Sequence, residues 1–226
     1  MNDILTSKVL IDRLFTLLDD WRNLPAYQLE RRADIFFAIY LDKIIKAKFD
    51  DVITTIIPEF PVRVGAVYPH LSHVNKSFKI DYVAVCEEAG RVYFIELKTD
   101  KGSRREQQDK YLLKAQEIKI SGLIEGVIQI YAATSSKIKY TNLIEKFKNM
   151  GWIDKDSTAI SNACKNYEII VIYIQPENPE KDANIISFDD VSDLLSDLED
   201  DLSKRFIKSL REWKHDPNQD NILFQY

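Results

Sequence analysis

The stretch FKIDYVAVCEEAGRVYFIELKTD, Phe78–Asp100, decides how this chain is read. Two runs of Val, Ile, Tyr and Phe flank Glu87, Glu88, Ala89 and Gly90, so the segment reads as a β-hairpin closed by a tight turn. Asp81 interrupts the first run, and Glu96 and Lys98 stand near the end of the second. A loop of two or four residues pairs Cys86 with Arg91, and counting back along both strands then sets Asp81 opposite Glu96. Side chains alternate faces with period two. Asp81, Val83 and Val85 therefore share a face with Val92, Phe94, Glu96 and Lys98, and the other face takes Ile80, Tyr82, Ala84, Tyr93, Ile95 and Leu97. An odd loop without a bulge would destroy this match, so the reading depends on the turn.

Two carboxylates facing each other across a ladder repel. A cation between them removes the conflict. Mg²⁺ suits the position, because it takes carboxylate oxygens and keeps other positions for water and substrate phosphate. Lys98, on the same face two residues from Glu96, could orient an attacking water or offset negative charge at a reacting phosphate. The bland reading is a solvated strand end with a surface ion pair of little energetic value. The acids close two otherwise apolar half-faces, which weighs against it.

Outward from the hairpin, apolar spacing at Ile4, Val9, Leu10, Leu14, Leu17 and Leu18 predicts a helix over 3–20. A second helix is expected over 27–48. Val52–Val64 is rich in β-branched residues but carries Pro58 and Pro61, so it reads as an edge or bent strand. After the hairpin, a helix is expected over 102–119, with Ser103 as N-cap and Glu106 completing a capping box. Gly126–Thr134 reads as a buried strand, 136–150 as a helix, Tyr167–Gln175 as a buried strand and 184–188 as a short strand. One helical stripe runs from Val191 to Trp213. Helices must cover the apolar faces of such a sheet, and hairpin strands precede crossovers, so an α/β fold with a central mixed sheet flanked by helices is expected. The whole chain, 1–226, is expected to form one domain, with N-terminal helices (3–48) and a C-terminal helix (191–213) packed on the core.

With Ile80-Asp81 followed by Glu96-Leu97-Lys98, the sequence resembles the PD-(D/E)xK nuclease superfamily. The proline that usually precedes the aspartate is Ile80 here. On the next predicted helix, QQDKY (Gln107–Tyr111) looks like the Q-x-x-x-Y motif of the RecB-like branch, with Gln107 and Tyr111 on one helix face. The likeness covers about Glu30–Tyr131. It implies a restriction-endonuclease-like three-layer sandwich and metal-dependent hydrolysis of DNA phosphodiester bonds. In that reading Asp81, Glu96 and the Leu97 carbonyl hold Mg²⁺ or Mn²⁺, with Lys98 beside the metal. Gln107 and Tyr111 face the site, contacting DNA or orienting the lysine. That branch also places a glutamate on a helix ahead of the sheet. Glu30 fills this role as an outer ligand of the metal or its water, with Asp34 on the same face as its rival.

Arg104, Arg105, Lys110 and Lys114 could bind flanking phosphates and make affinity depend on salt. For each of them, as for Arg31 and Arg32, a solvated helix face is the simpler reading. The alternative function is a nuclease-fold protein that binds nucleic acid or a protein partner without cutting. The acidic net charge and the lack of an attached DNA-reading domain motivate it.

Bulk properties bound the rest. With 226 residues, 45% of them hydrophobic, the chain can bury a sizeable core. Its net charge of -5 does not announce a nucleic-acid binder, but the charge is uneven. Asp189–Asp201 holds seven acids and no base, while Lys98–Lys119 holds seven bases against four acids. Local sign matters more to a phosphate ligand than the total. No apolar run approaches the roughly 20 residues of a membrane span, and the N-terminus lacks the form of a signal peptide. Cys86 and Cys164 make no disulfide framework or zinc spacing, which points to a cytoplasmic protein. His70 and His73 have ligand-like spacing but no third partner, so they read as loop residues. No P-loop, G-x-G-x-x-G or G-x-S-x-G occurs.

Overall fold

The hairpin has the even loop that the alternation requires. In the computed structural model, which describes residues 6–100, 104–156 and 159–214, Cys86 pairs with Arg91, Val85 with Val92, Val83 with Phe94 and Tyr82 with Ile95. Gly90 closes the four-residue turn at φ 63, a left-handed conformation that glycine adopts without a Cβ penalty.

In chain order the elements are α1 (Ser7–Trp21), α2 (Glu30–Phe49), β1 (Thr55–Arg63), α3 (Val64–Val67), β2 (Ser77–Cys86), β3 (Arg91–Leu97), α4 (Glu106–Ala133), α5 (Lys137–Asn149), β4 (Ile153–Lys155), β5 (Ile160–Asn162), β6 (Glu168–Gln175), β7 (Ile185–Ser187), α6 (Phe188–Leu195) and α7 (Asp201–Trp213). The main sheet has five strands in the order β1-β2-β3-β6-β7. β1, β2 and β3 are antiparallel neighbours and β6 and β7 are parallel, so the sheet is mixed and the fold is α/β. β4 and β5 form a separate two-stranded ribbon. Among the described residues no helix is long and apolar enough to cross a membrane.

β1 is an edge strand, which suits its two prolines, since proline has no N–H to donate to a ladder. The expected strand over Gly126–Thr134 does not form. Those residues belong to α4, whose buried positions Ile120, Leu123, Ile124, Val127 and Ile130 recur at helical spacing. The run GVIQIYAA is short and apolar, and periodicity alone does not distinguish a buried strand from a buried helix face. The helix expected over 102–119 continues through it, interrupted only at Lys119. Ser103 lies outside the described residues. α4 begins at Glu106 with Arg105 in the N-cap position and no side-chain cap bond.

The stripe Val191–Trp213 is two helices, not one. Ser187 and Asp190 form a capping box at the start of α6, and the Asp200 carboxylate accepts from Ser203 N at 2.9 Å at the start of α7. The acids of Asp189–Asp201 thus include two that satisfy orphan N–H groups at helix starts, where the helix dipole also favours them.

Lys119 has φ 66 and ψ 163, a region reached almost only by glycine. Lys119→Gly is expected to stabilise the protein by about 1 kcal/mol by relieving this strain. Urea unfolding of the two proteins, compared by midpoint at constant slope, checks it.

The described residues fall into two compact units. One lies within Met1–Val52, Leu97–Arg104 and Ile172–Tyr226, the other within Ile53–Glu96 and Arg105–Val171. The first has an aromatic core of Phe15, Phe37, Phe188, Phe206 and Trp213, all fully or almost fully buried. Asp19 ties α1 to α7 there, accepting from Arg205 Nη2 at 2.6 Å and Trp213 Nε1 at 2.8 Å. The second unit packs α4 against β1, α3 and β5. Its core includes Phe60, Phe94, Phe147 and Trp152.

Candidate active site

In the second unit the site is built on the β2–β3 ladder. Extending the observed register by one step beyond Tyr82–Ile95 sets Asp81 beside Glu96. Asp81 is half-buried and Glu96 is fully buried. A fully buried carboxylate needs hydrogen-bond donors, and the first turns of α4 supply them. Gln108 Nε2 donates to Glu96 Oε2, and the Tyr111 hydroxyl lies 3.4 Å from Glu96 Oε1. The same hydroxyl lies 3.3 Å from the Lys79 carbonyl and from Gln108 Nε2.

The Tyr111 ring stacks on Phe78, with centroids 4.6 Å apart and planes within 2°. This contact fixes the hydroxyl over the ladder. Burial, and then the negative charge of Glu96, push the Tyr111 phenol above its ordinary pKa, so it stays protonated and acts as a donor.

The motif glutamine is therefore one residue off the expectation. Gln107 is exposed on α4, and the neighbouring Gln108 reaches Glu96. Gln108 and Tyr111 are three apart, a spacing that shares a helix face as well as four does. Choosing between adjacent glutamines in QQDKY requires the phase of α4, which no local pattern in the sequence sets. Gln108→Ala is expected to lower activity about 10- to 100-fold, as loss of a partner that orients a ligand does. Gln107→Ala should leave it within twofold of wild type, roughly the effect of a neutral surface change. Parallel cleavage assays on the two variants separate these outcomes.

Two further residues lie in this ladder without having been singled out from the sequence. Glu59 of β1 sits at the register position beside Asp81, but its φ of 50 interrupts the pairing there. Lys79 lies two residues before Asp81, and burial lowers its pKa while Glu59 acts the other way. The signal available in advance was the constant β1–β2 register, which depends on knowing that these strands pair.

In the first unit, Glu30 and Lys98 come together, with Glu30 Oε2 3.8 Å from Lys98 Nζ. Lys98 is almost fully buried. Its ammonium also donates to the Leu97 carbonyl at 2.8 Å. Glu30 is the first residue of α2, where the helix dipole favours a negative charge. Asp34, its rival, accepts from its neighbour Ile35 N at 2.7 Å. Of the two, Glu30 is the one placed beside the lysine.

The basic candidates have local partners. The Arg104 guanidinium lies 4.1 Å from the centroid of the Tyr173 ring. Lys110 pairs with Glu106 at 2.7 Å, and Lys114 lies 4.7 Å over the Tyr68 ring. Arg105 is exposed at the start of α4. Arg31 and Arg32 are exposed on α2, and His70 and His73 are exposed around a single 3₁₀ turn.

A donor set of two carboxylates and a main-chain carbonyl, as expected from the sequence, would be all oxygen and would suit Mg²⁺ or Mn²⁺ rather than zinc. Among the described residues no three His, Cys, Asp or Glu side chains gather as a ready-made cage. Such a metal would draw its remaining ligands from water and substrate, as Mg²⁺ commonly does. Comparison with protein-family models, with curated proteins and with solved structures returns no match for this chain.

Proposed function

We propose that this chain is a metal-dependent nuclease that hydrolyses DNA phosphodiester bonds on a restriction-endonuclease-like sandwich of the RecB-like type. The observation that carries the reading is the ladder itself. Its register, carried one step past the Tyr82–Ile95 pair, puts Asp81 opposite a fully buried Glu96 whose oxygens are met by Gln108 and Tyr111. A stability-driven sheet gains nothing from two opposed acids, one of them fully buried, because burying a carboxylate costs several kcal/mol before compensation.

Asp81 and Glu96 would hold Mg²⁺ or Mn²⁺, with the carbonyl of Leu97, the next residue in the chain. The bound ion supplies an activated water and neutralises charge on the scissile phosphate. Gln108 and Tyr111 hold the Glu96 carboxylate in one orientation, the service that outer partners give metal ligands. Lys98 supplies positive charge for the phosphate or orients the water, and Glu30 keeps its ammonium in place.

The test is a panel of single-stranded, double-stranded and flap DNA and of RNA, incubated with Mn²⁺ or with EDTA. Cleavage of DNA that requires the metal and is lost in Lys98→Ala supports the reading. Cleavage that persists in EDTA would sink it. Folded protein that neither cleaves nor binds Mn²⁺ by calorimetry favours the non-cleaving nuclease-fold alternative.

A further inference from the structure

An open cavity of about 410 Å³ lies in the second unit, away from the carboxylate ladder, lined by Arg63, Ser72, Ile118, Gly122, Glu125, Gly126 and Gln129 among others. Its size falls within the range of small-molecule sites, roughly 300–1,000 Å³. The cation in its wall is unusual. Arg63, the last residue of β1, is only 7% exposed. A buried guanidinium ordinarily faces a carboxylate. Here Nε donates to the Asn75 side-chain oxygen at 2.8 Å and Nη2 donates to the Ser72 carbonyl. Both acceptors are neutral, and among the described residues no acid pairs with Arg63.

The wall is shaped around this group. A Cβ on Gly65 would stand 2.5 Å from Arg63 Nη1, and one on Gly126 would stand 3.1 Å from Arg63 Cβ. Gly126 thus packs directly on Arg63 and Ala66, and Gly122 lies under the Ile118 side chain. The acid that lines the cavity, Glu125, is exposed and lies 3.5 Å from Gln129 Nε2.

We propose that this cavity binds a phosphate group through Arg63. A planar guanidinium that is already oriented by two neutral acceptors keeps its charge and remaining N–H donors for an oxyanion, and arginine matches phosphate oxygens in a fork. The source is either a mononucleotide or the backbone of a nucleic-acid strand. Arg63 pairs with Ser77, four residues before Asp81 on β2, which is roughly 13 Å along the strand. The site is thus separate from the metal ladder, and it does not rest on the nuclease reading.

The experiment is ³¹P NMR line broadening of inorganic phosphate and of a nucleoside monophosphate, with a short single-stranded oligonucleotide followed by fluorescence anisotropy. All three are done in EDTA, so that binding is read without metal or cleavage. Saturable binding is expected, weakened about tenfold by Gln129→Glu, which brings a like charge to the ligand. Glu125→Gln is expected to tighten it. Both residues are exposed, so these variants keep the fold even if Arg63→Met, which loses the Asn75 and Ser72 bonds, does not. Stronger binding of the oligonucleotide identifies a strand, and stronger binding of the mononucleotide identifies a free nucleotide. Absence of binding by all three probes, or binding unchanged in Gln129→Glu and Glu125→Gln, overturns the inference.

Discussion

Asp81→Ala is expected to remove metal-dependent DNA cleavage, lowering the rate by about three orders of magnitude, the equivalent of roughly 4 kcal/mol of lost charge stabilisation. Asp81 is half-buried on β2 and stands at the register position of Glu96. Without it the β2–β3 pair keeps only Glu96, which is already met by Gln108 and Tyr111. A single ligand of this kind holds a hard divalent ion poorly, because such sites rely on carboxylate charge as well as on oxygen count. The fold should survive, since the paired β-branched and aromatic residues from Tyr82 to Val85 are untouched. Circular dichroism supplies that control. Wild-type cleavage by a folded Asp81→Ala protein would show that the ladder is not the catalytic centre.

Phe206→Ala is expected to cost about 3–5 kcal/mol of stability, a large share of what a domain has to lose. Phe206 is fully buried on α7. Its ring meets Phe37 edge-on with centroids 5.0 Å apart, lies nearly parallel to Tyr40 at 5.7 Å, and lies 6.1 and 6.2 Å from Phe15 and Trp213. Five aromatic neighbours of this kind, Phe36 included, cannot collapse into the space, so both the transfer term and the cavity term apply. Urea unfolding followed by tryptophan fluorescence reads the loss, with Trp213 as a local reporter. A shift under 1 kcal/mol would mean that this cluster packs more loosely than its burial implies.

Much of the fold was legible because its signals are local. The hairpin rests on alternation and on a four-residue turn, and both are properties of neighbouring residues. The pairing of Cys86 with Arg91 followed from counting alone. Prolines at 58 and 61 marked an edge strand for a chemical reason that holds in any context. The two N-terminal helices, the helix over 137–149 and the strands at 168–175 and 185–187 follow equally from period and composition.

The misses have a common origin. GVIQIYAAT contains an apolar run that either a strand or a helix can bury, and it became helix because α4 continues through it to pack on β1, α3 and β5. The stripe from Val191 to Trp213 is preceded by one start signal, Ser187 with Asp190, and contains a second, Asp200 with Ser203, at which the backbone starts a new helix. Gln108 rather than Gln107 meets Glu96, because the buried face of α4, Tyr111, Leu112 and Ala115 among it, turns Gln107 to solvent.

Residue order alone was enough to set the hairpin register from Cys86–Arg91 to Tyr82–Ile95, since strand register propagates from a turn by simple counting. Which glutamine serves Glu96, whether Glu30 or Asp34 stands by Lys98, and that Arg63 is buried among neutral acceptors all emerged with the folded chain. Each of these depends on helix phase or on partners distant in sequence, and packing, not periodicity, chooses between residues that a local pattern treats as equivalent.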